Sequence, residues 1–292
     1  MLVALTGQEG RPMRLIGYHQ GDAVHVGRRL DDGLIEPLGD VLSFWRDPYP
    51  AVSKASGGVP LKQDDLRLAP PVPPSARVLC VGLNYRAHVD EGPFTVPDHP
   101  TIFGRWTQSL SVDGTPVSVP VDEDGLDWEV ELAAVIGRPL RMADEAEALD
   151  GVFAYATFND ITARRAQKLT TQWTLGKNAD NSGPLGDLVT ADEVGDPNAG
   201  LRMTTKINGK ITQDGSTDQM IFSVGAILSF ISRTFTLRPG DVIATGTPSG
   251  VGYARTPPWL LHDGDVVEVE VEKLGSVRTP VINAENAEDS HE

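Results

Sequence analysis

The stretch DWEVELAAVIG, residues 127 to 137, alternates Val130, Leu132, Ala134 and Ile136 with Glu129, Glu131 and Ala133, the period of two that marks a β-strand. Glu129 and Glu131 therefore leave the strand on one side. Carboxylates crowded into a partly buried place need a cation or protons to compensate them. A second apolar run, VFAYATFND at 152 to 160, ends on Asp160, so a neighbouring strand can bring a third carboxylate to the pair. Three carboxylates with no nearby Cys or His favour Mg²⁺, with Mn²⁺ or Ca²⁺ as alternatives, over zinc, because hard cations prefer oxygen ligands. Asp127 shares the parity of the two glutamates and reads either as a fourth acid or as surface. Taken alone, Glu-x-Glu is equally the pattern of an ordinary antiparallel strand with one face in water.

Outward from this stretch the chain is rich in strands. RVLCVGL (77 to 83), RMTTKI (202 to 207), DVIATG (241 to 246) and DVVEVEVEKL (265 to 274) are apolar or alternating runs, and Asn208-Gly209 predicts a tight hairpin turn. Helices are expected over 143 to 149 and over 216 to 233. In the second, Thr217 and Asp218 would cap the start, and Met220, Val224, Ile227, Leu228 and Ile231 would form an apolar stripe. A shorter helix is expected around 35 to 44. The fold class is α+β and β-rich. APPVPPS (69 to 75) holds four prolines, a semi-rigid connector that predicts a boundary between a small N-terminal domain, 1 to 72, and a catalytic domain, 73 to 292. The acidic tail NAENAEDSHE (283 to 292) is expected to fray.

The 292 residues carry 41 acidic against 25 basic side chains, a formal charge of −16. No nucleic-acid partner is expected, because phosphate neutralisation needs clustered Lys and Arg. An acidic protein that handles an anion must concentrate positive charge locally. The single Cys80 excludes a disulfide framework and reads as a packed strand residue. No run of 18 apolar residues and no leader pattern stands out, so no membrane span and a cytoplasmic location are expected. G-x-S-x-G, Walker A, H-E-x-x-H and G-x-G-x-x-G are all missing, which removes the simplest serine hydrolase, kinase, zinc peptidase and dinucleotide readings.

Within VGLNYRAHVDEG (81 to 92), His88 precedes Glu91 by three residues, neighbours on one helical turn. Such a carboxylate can hold the imidazole in one tautomer and raise its basicity, as a general base acting on water requires. The same spacing also fits an exposed loop histidine beside an incidental acid. Gly92 and Pro93 suggest a mobile lid. In DITARRAQ (160 to 167), a helix starting at Asp160 would carry Arg164 and Gln167 near its face. TLGKNAD (174 to 180) offers Lys177, and TGTPSGVG (245 to 252) has the Gly and Thr content of a backbone cradle for an anion.

Together, GLNYRAHVDE, P-x-IFGRWTQSL (100 to 110), DWEVELAAVIG, ND-x-x-x-R (159 to 164), QWTLGKN, NGK-x-x-Q-x-x-x-T (208 to 217), MIF, LRPGDVIATGTPSGVG and a final GD-x-V-x-VE strand closely resemble the fumarylacetoacetate hydrolase family over roughly 76 to 281. The resemblance implies a mixed sheet with roll-like architecture, a small N-terminal domain and a homodimer. It also implies that Glu129, Glu131 and Asp160 ligate Mg²⁺ or a similar cation, and that His88 and Glu91 activate water. Lys177 would stabilise an oxyanion, while Arg164, Gln167 and Thr247 contact a small anionic 2-oxo acid. The implied reaction is hydrolysis of a carbon-carbon bond in a β-diketo acid of the acylpyruvate or fumarylpyruvate type. Its rival is an oxaloacetate-type decarboxylase or hydroxymuconate-type isomerase on the same site. Three departures stand out. Arg165 replaces a frequent Asp, Arg105 stands where many members have Lys, and Asn84 stands where larger animal-type enzymes supply a fourth acidic ligand. A pocket wall is expected from Phe94, Trp106, Tyr253 and Trp259.

Overall fold

The structure, a computed structural model, describes residues 13–30, 32–53, 57–92 and 94–284. Most of the expected acidic tail, along with Pro93 of the expected lid, lies outside them. Among the described residues an eleven-stranded sheet dominates, and the carboxylate strand Val130–Ile136 is near its middle. Val152–Asn159 pairs antiparallel on one side of it and Val242–Ala244 antiparallel on the other. Beyond Val242–Ala244 the sheet continues through a parallel Val78–Gly82 and an antiparallel Thr101–Arg105. A separate five-stranded sheet runs in the order Lys210–Ser216, Arg202–Ile207, Val266–Val271, Gly275–Asn283, Val117–Val119. The result is a mixed, strand-rich α+β fold, as the sequence predicts. Asn208 and Gly209, both at positive φ, turn the expected hairpin so that Ile207 faces Lys210.

The carboxylate strand is not half-exposed. Every residue from Val130 to Ile136 is buried, as is every residue from Val152 to Asn159. Leu132, Ala134 and Ile136 pack with Val224, Ile227 and Leu228, while Ala133 and Val135 pack with Phe153, Trp45 and Cys80 on the opposite face. Glu129 and Glu131 thus sit at the end of a strand covered on both sides, where burial of a charge is costly unless it is compensated.

Two expected helices differ. Residues 35 to 40 belong to the strand Leu34–Asp40, and the helix Val41–Phe44 starts only where the Asp40 carboxylate accepts the Leu42 and Ser43 N–H groups. The long helix is Val224–Thr234, capped by Ser223. Thr217 instead opens a short 3₁₀ turn, with its hydroxyl donating to Pro197 O and accepting from Leu201 N. Ile221 N and Phe222 N are drawn to Asn84 O and Oδ1, so Met220 lies outside the helix. The helix Glu145–Asp150 matches expectation and carries a capping box between Asp144 and Glu147.

The N-terminal strands extend the same large sheet, joining it where Arg14 and Leu15 pair with Val189 and Leu188. The proline run is packed: Val72 is buried and Trp45 Nε1 donates to Pro71 O at 2.8 Å.

Candidate active site

Antiparallel register assembles the site. Val130 lies opposite Asn159 and Glu131 opposite Phe158, which places the start of one strand beside the end of the other. Asp160 N donates to Glu129 O at 3.0 Å, and Glu129 N to the Asn159 side chain at 3.1 Å. Glu129, Glu131 and Asp160 converge, all buried, with one oxygen from each lying within 4.8 Å of the others.

Cations surround two of the three. Lys177 Nζ is 2.7 Å from Glu129 Oε2 and 2.7 Å from Asp160 Oδ2, with the residue 2% exposed. Arg105, also buried, donates from Nη1 to Asp160 Oδ1 and from Nη2 to Ser182 Oγ, both at 2.7 Å. Arg164 donates from Nε to Asp127 Oδ2 at 2.7 Å, from Nη2 to Glu129 Oε1 at 2.6 Å, and from Nη1 to Gln167 Oε1 at 3.1 Å. Glu131 has no such partner among the described residues; its Oε2 accepts the Gly246 N–H at 2.8 Å. The four buried carboxylates, Asp127 included, outnumber the three cations by one charge.

The titration directions locate that excess. Burial pushes Glu129 up, but Lys177 and then Arg164 outweigh it and hold the carboxyl below its usual range. Burial, then Asp160 and Glu129, push Glu131 well above its usual range. Burial alone would lower Lys177, yet Asp160 and Glu129 raise it, so it stays charged. Three convergent buried oxygens and one uncompensated negative charge fit a hard divalent cation held by Glu129, Glu131 and Asp160.

Glu129, Glu131 and Lys177 line a cavity of about 690 Å³. Of the expected residues, His88, Glu91, Arg164, Gln167, Lys177 and Thr247 all line it. His88, on the short helix Arg86–Val89, holds Nδ1 3.0 Å from Glu91 Oε2, and Glu91 Oε1 accepts the Gly250 N–H at 2.7 Å. Phe94 and Tyr253 line the wall as expected, with Phe103 and Trp173 beside them. Trp106 is exposed instead, and Trp259 packs edge-on against Trp128 at 5.5 Å.

The glycines of the 245 to 252 loop cradle the protein's own carboxylates: the N–H of Gly246 goes to Glu131, that of Gly250 to Glu91 and that of Gly252 to Asp127 at 2.6 Å, with Tyr253 N following to Asp127 at 3.2 Å. That resolves Asp127 as a fully buried anchor for both this loop and Arg164. The helix bearing Arg164 begins at that residue and not at Asp160, because Asp127 and Thr162 exchange backbone hydrogen bonds that keep residues before it extended. Asn84 is a clamp, donating to Phe222 O and Thr245 O. Gln213 accepts from Val130 N and donates to Thr247 Oγ1 at 2.9 Å; its place in the NGK-x-x-Q motif was the available signal.

The chain is 39% identical over 226 residues, 76% of this chain and 70% of the relative, to oxaloacetate tautomerase fahd2 of Xenopus laevis. It is 39% identical over 255 residues, 86% and 89% of the two chains, to a 2,4-didehydro-3-deoxy-L-rhamnonate hydrolase of Sphingomonas sp.. The crystal structure of a 2-hydroxyhepta-2,4-diene-1,7-dioate isomerase from Mycobacterium marinum superposes with a TM-score of 0.75 at 31% identity, covering 93% of this chain and 99% of that one. Residues 77–282, which carry the carboxylates, the lysine and the His88–Glu91 pair, match the model of the fumarylacetoacetate (FAA) hydrolase C-terminal domain, and the chain belongs to the fumarylacetoacetate hydrolase family.

Proposed function

We propose that this protein is a divalent-metal-dependent hydrolase that cleaves a carbon-carbon bond in a β-diketo acid of the acylpyruvate type. The observation that carries the reading is the His88–Glu91 pair facing the cavity that Glu129 and Glu131 of the carboxylate trio line. Mg²⁺, held by Glu129, Glu131 and Asp160, would supply Lewis-acid polarisation and orientation of the 2-oxo acid end. Glu91, fixed by the Gly250 N–H, accepts the His88 Nδ1 proton and leaves Nε2 as the basic nitrogen. That nitrogen takes a proton from the water attacking the distal carbonyl; collapse of the tetrahedral oxyanion then breaks the carbon-carbon bond, releasing the acyl group as a carboxylic acid and leaving the bond's electron pair on pyruvate as an enolate, whose carbon takes back the proton from His88 Nε2. Lys177 spends its short hydrogen bonds on Glu129 and Asp160, so it acts on a developing oxyanion through its charge and helps hold Glu129 ionised. Gln167 and Thr247 contact the substrate from the cavity wall.

Tautomerisation, isomerisation or decarboxylation of a 2-oxo acid on the same residues is the second reading, favoured by the activities named for the tautomerase and isomerase relatives. Incubation with acylpyruvates and with oxaloacetate, with and without Mg²⁺, separates the readings by scoring released carboxylic acid against CO₂ and enol. His88→Ala should lower hydrolytic turnover by about 10²-fold or more while calorimetric Mg²⁺ affinity stays within about twofold. Loss of metal affinity in His88→Ala would defeat this division of roles.

A further inference from the structure

We propose that Gln213 is a positioning residue for ligand binding: it makes the Thr247 hydroxyl an obligate hydrogen-bond donor toward a ligand oxygen in the cavity. This rests on the 2-oxo acid reading above and specifies how the protein sets one contact to that ligand.

An irregularity in its strand brings Gln213 to this place. Along Lys210–Ser216 the pairing with Arg202–Ile207 sets Thr205 opposite Gln213 and then Lys206 opposite Ile211, so Thr212 has no residue opposite it. A β-bulge of this kind re-aims the side chains beside it. Thr212 and Gln213 are buried in succession, against the alternation of a regular strand. Gln213, 1% exposed, thereby touches three parts of the fold: the five-stranded sheet through Thr205, the large sheet through Val130, and the 245 to 252 loop through Thr247 and Pro248.

Two of those partners fix which way round the amide sits. Val130 N can only donate, so the atom 3.1 Å from it is Oε1, which also accepts from Thr205 Oγ1 at 2.7 Å. Pro248 O can only accept, so the atom 2.9 Å from it is Nε2. An amide nitrogen offers two protons and accepts none. One goes to Pro248 O and the other to Thr247 Oγ1 at 2.9 Å. Thr247 therefore accepts from Gln213, and its own hydroxyl proton is left to donate.

Among the described residues that proton meets no acceptor, although Thr247 is 3% exposed and lines the cavity. A buried hydroxyl with an unplaced proton on a cavity wall is completed by an acceptor that the cavity receives. Gly246, the residue before it, gives its N–H to Glu131. The donor thus stands beside the carboxylate trio, and the acceptor it meets is an oxygen of the 2-oxo acid group.

Isothermal calorimetry with Mg²⁺ present and 2-oxopentanoate as the probe, which has no second carbonyl and is not cleaved, reads the contact without turnover. Thr247→Val should weaken probe binding about tenfold. Gln213→Glu should weaken it comparably, because a carboxylate oxygen in place of Nε2 accepts the Thr247 proton that the ligand would otherwise receive. In the Thr247→Val background, Gln213→Glu should cost less than about twofold. Gln213→Met, which removes the donor without burying a charge, keeps the cycle if the glutamate variant does not fold: a loss of about threefold with Thr247 present, and none in the Thr247→Val background. A loss of equal size in both backgrounds would mean that Gln213 only holds the fold, and overturns the inference, as does full affinity in every Gln213 variant; the 2-oxo acid reading stands in either case. A probe that fails to bind the unmodified protein overturns that reading and this one with it.

Discussion

Glu131 carries the charge that the rest of the site leaves unanswered. Glutamine at this position keeps an oxygen for the Gly246 N–H but removes the repulsion from Asp160 and Glu129. Glu131→Gln should therefore weaken Mg²⁺ binding by about tenfold or more, while the melting temperature of the metal-free protein holds or rises; a lower melt with affinity intact would rule out the charge excess. Cys80, fully buried, has its thiol pushed well up by burial, with Asp160 and Glu131 adding to the effect. Iodoacetamide at mildly alkaline pH should leave the native protein unlabelled and add one group per chain in denaturant, as mass spectrometry would record. At this scale the trio was legible because strand alternation alone gives two glutamates one direction. The job of Arg105 was not, since nothing local says that a side chain from 55 residues earlier will bond Asp160.

Elements were legible where their determinants are local. The Asn208-Gly209 hairpin and the helix at Glu145–Asp150 are written in their own turn and cap residues, and Asp144→Ala should cost about 1 kcal/mol in urea unfolding. The late start of the helix Val224–Thr234 is decided elsewhere. Residues 217 to 222 carry apolar residues at helix-compatible spacing, but Leu201, Pro197 and Asn84 capture their polar groups. Asn84 ties three segments with one amide, bonding Phe222 N, Phe222 O and Thr245 O. Asn84→Ala should destabilise by about 2–3 kcal/mol. Asn84→Asp should also destabilise, because a carboxylate would face two carbonyl oxygens; a variant as stable as the parent would show that the clamp is dispensable.

At the scale of the molecule, a cation that binds the native trio and not the unfolded chain must raise stability, by about 2.7 kcal/mol at a hundredfold excess over Kd. Thermal melts with increasing MgCl₂ should climb accordingly, and Glu131→Gln should flatten the response. How the N-terminal strands fasten onto the large sheet depends on the pairing of Arg14 and Leu15 with residues some 170 positions away, which no local pattern encodes. The loop from Gly246 to Tyr253 grips Glu131, Glu91 and Asp127 through peptide N–H groups alone. Main-chain recognition is indifferent to the side chains that carry it. Val251, buried on the cavity wall, can therefore be exchanged for another apolar residue without loosening that grip, and the exchange would retune what enters the cavity, whereas Gly246, at φ +96° and pressed against Asn84, is fixed. A lineage built on such a loop can change its diet without rebuilding its chemistry.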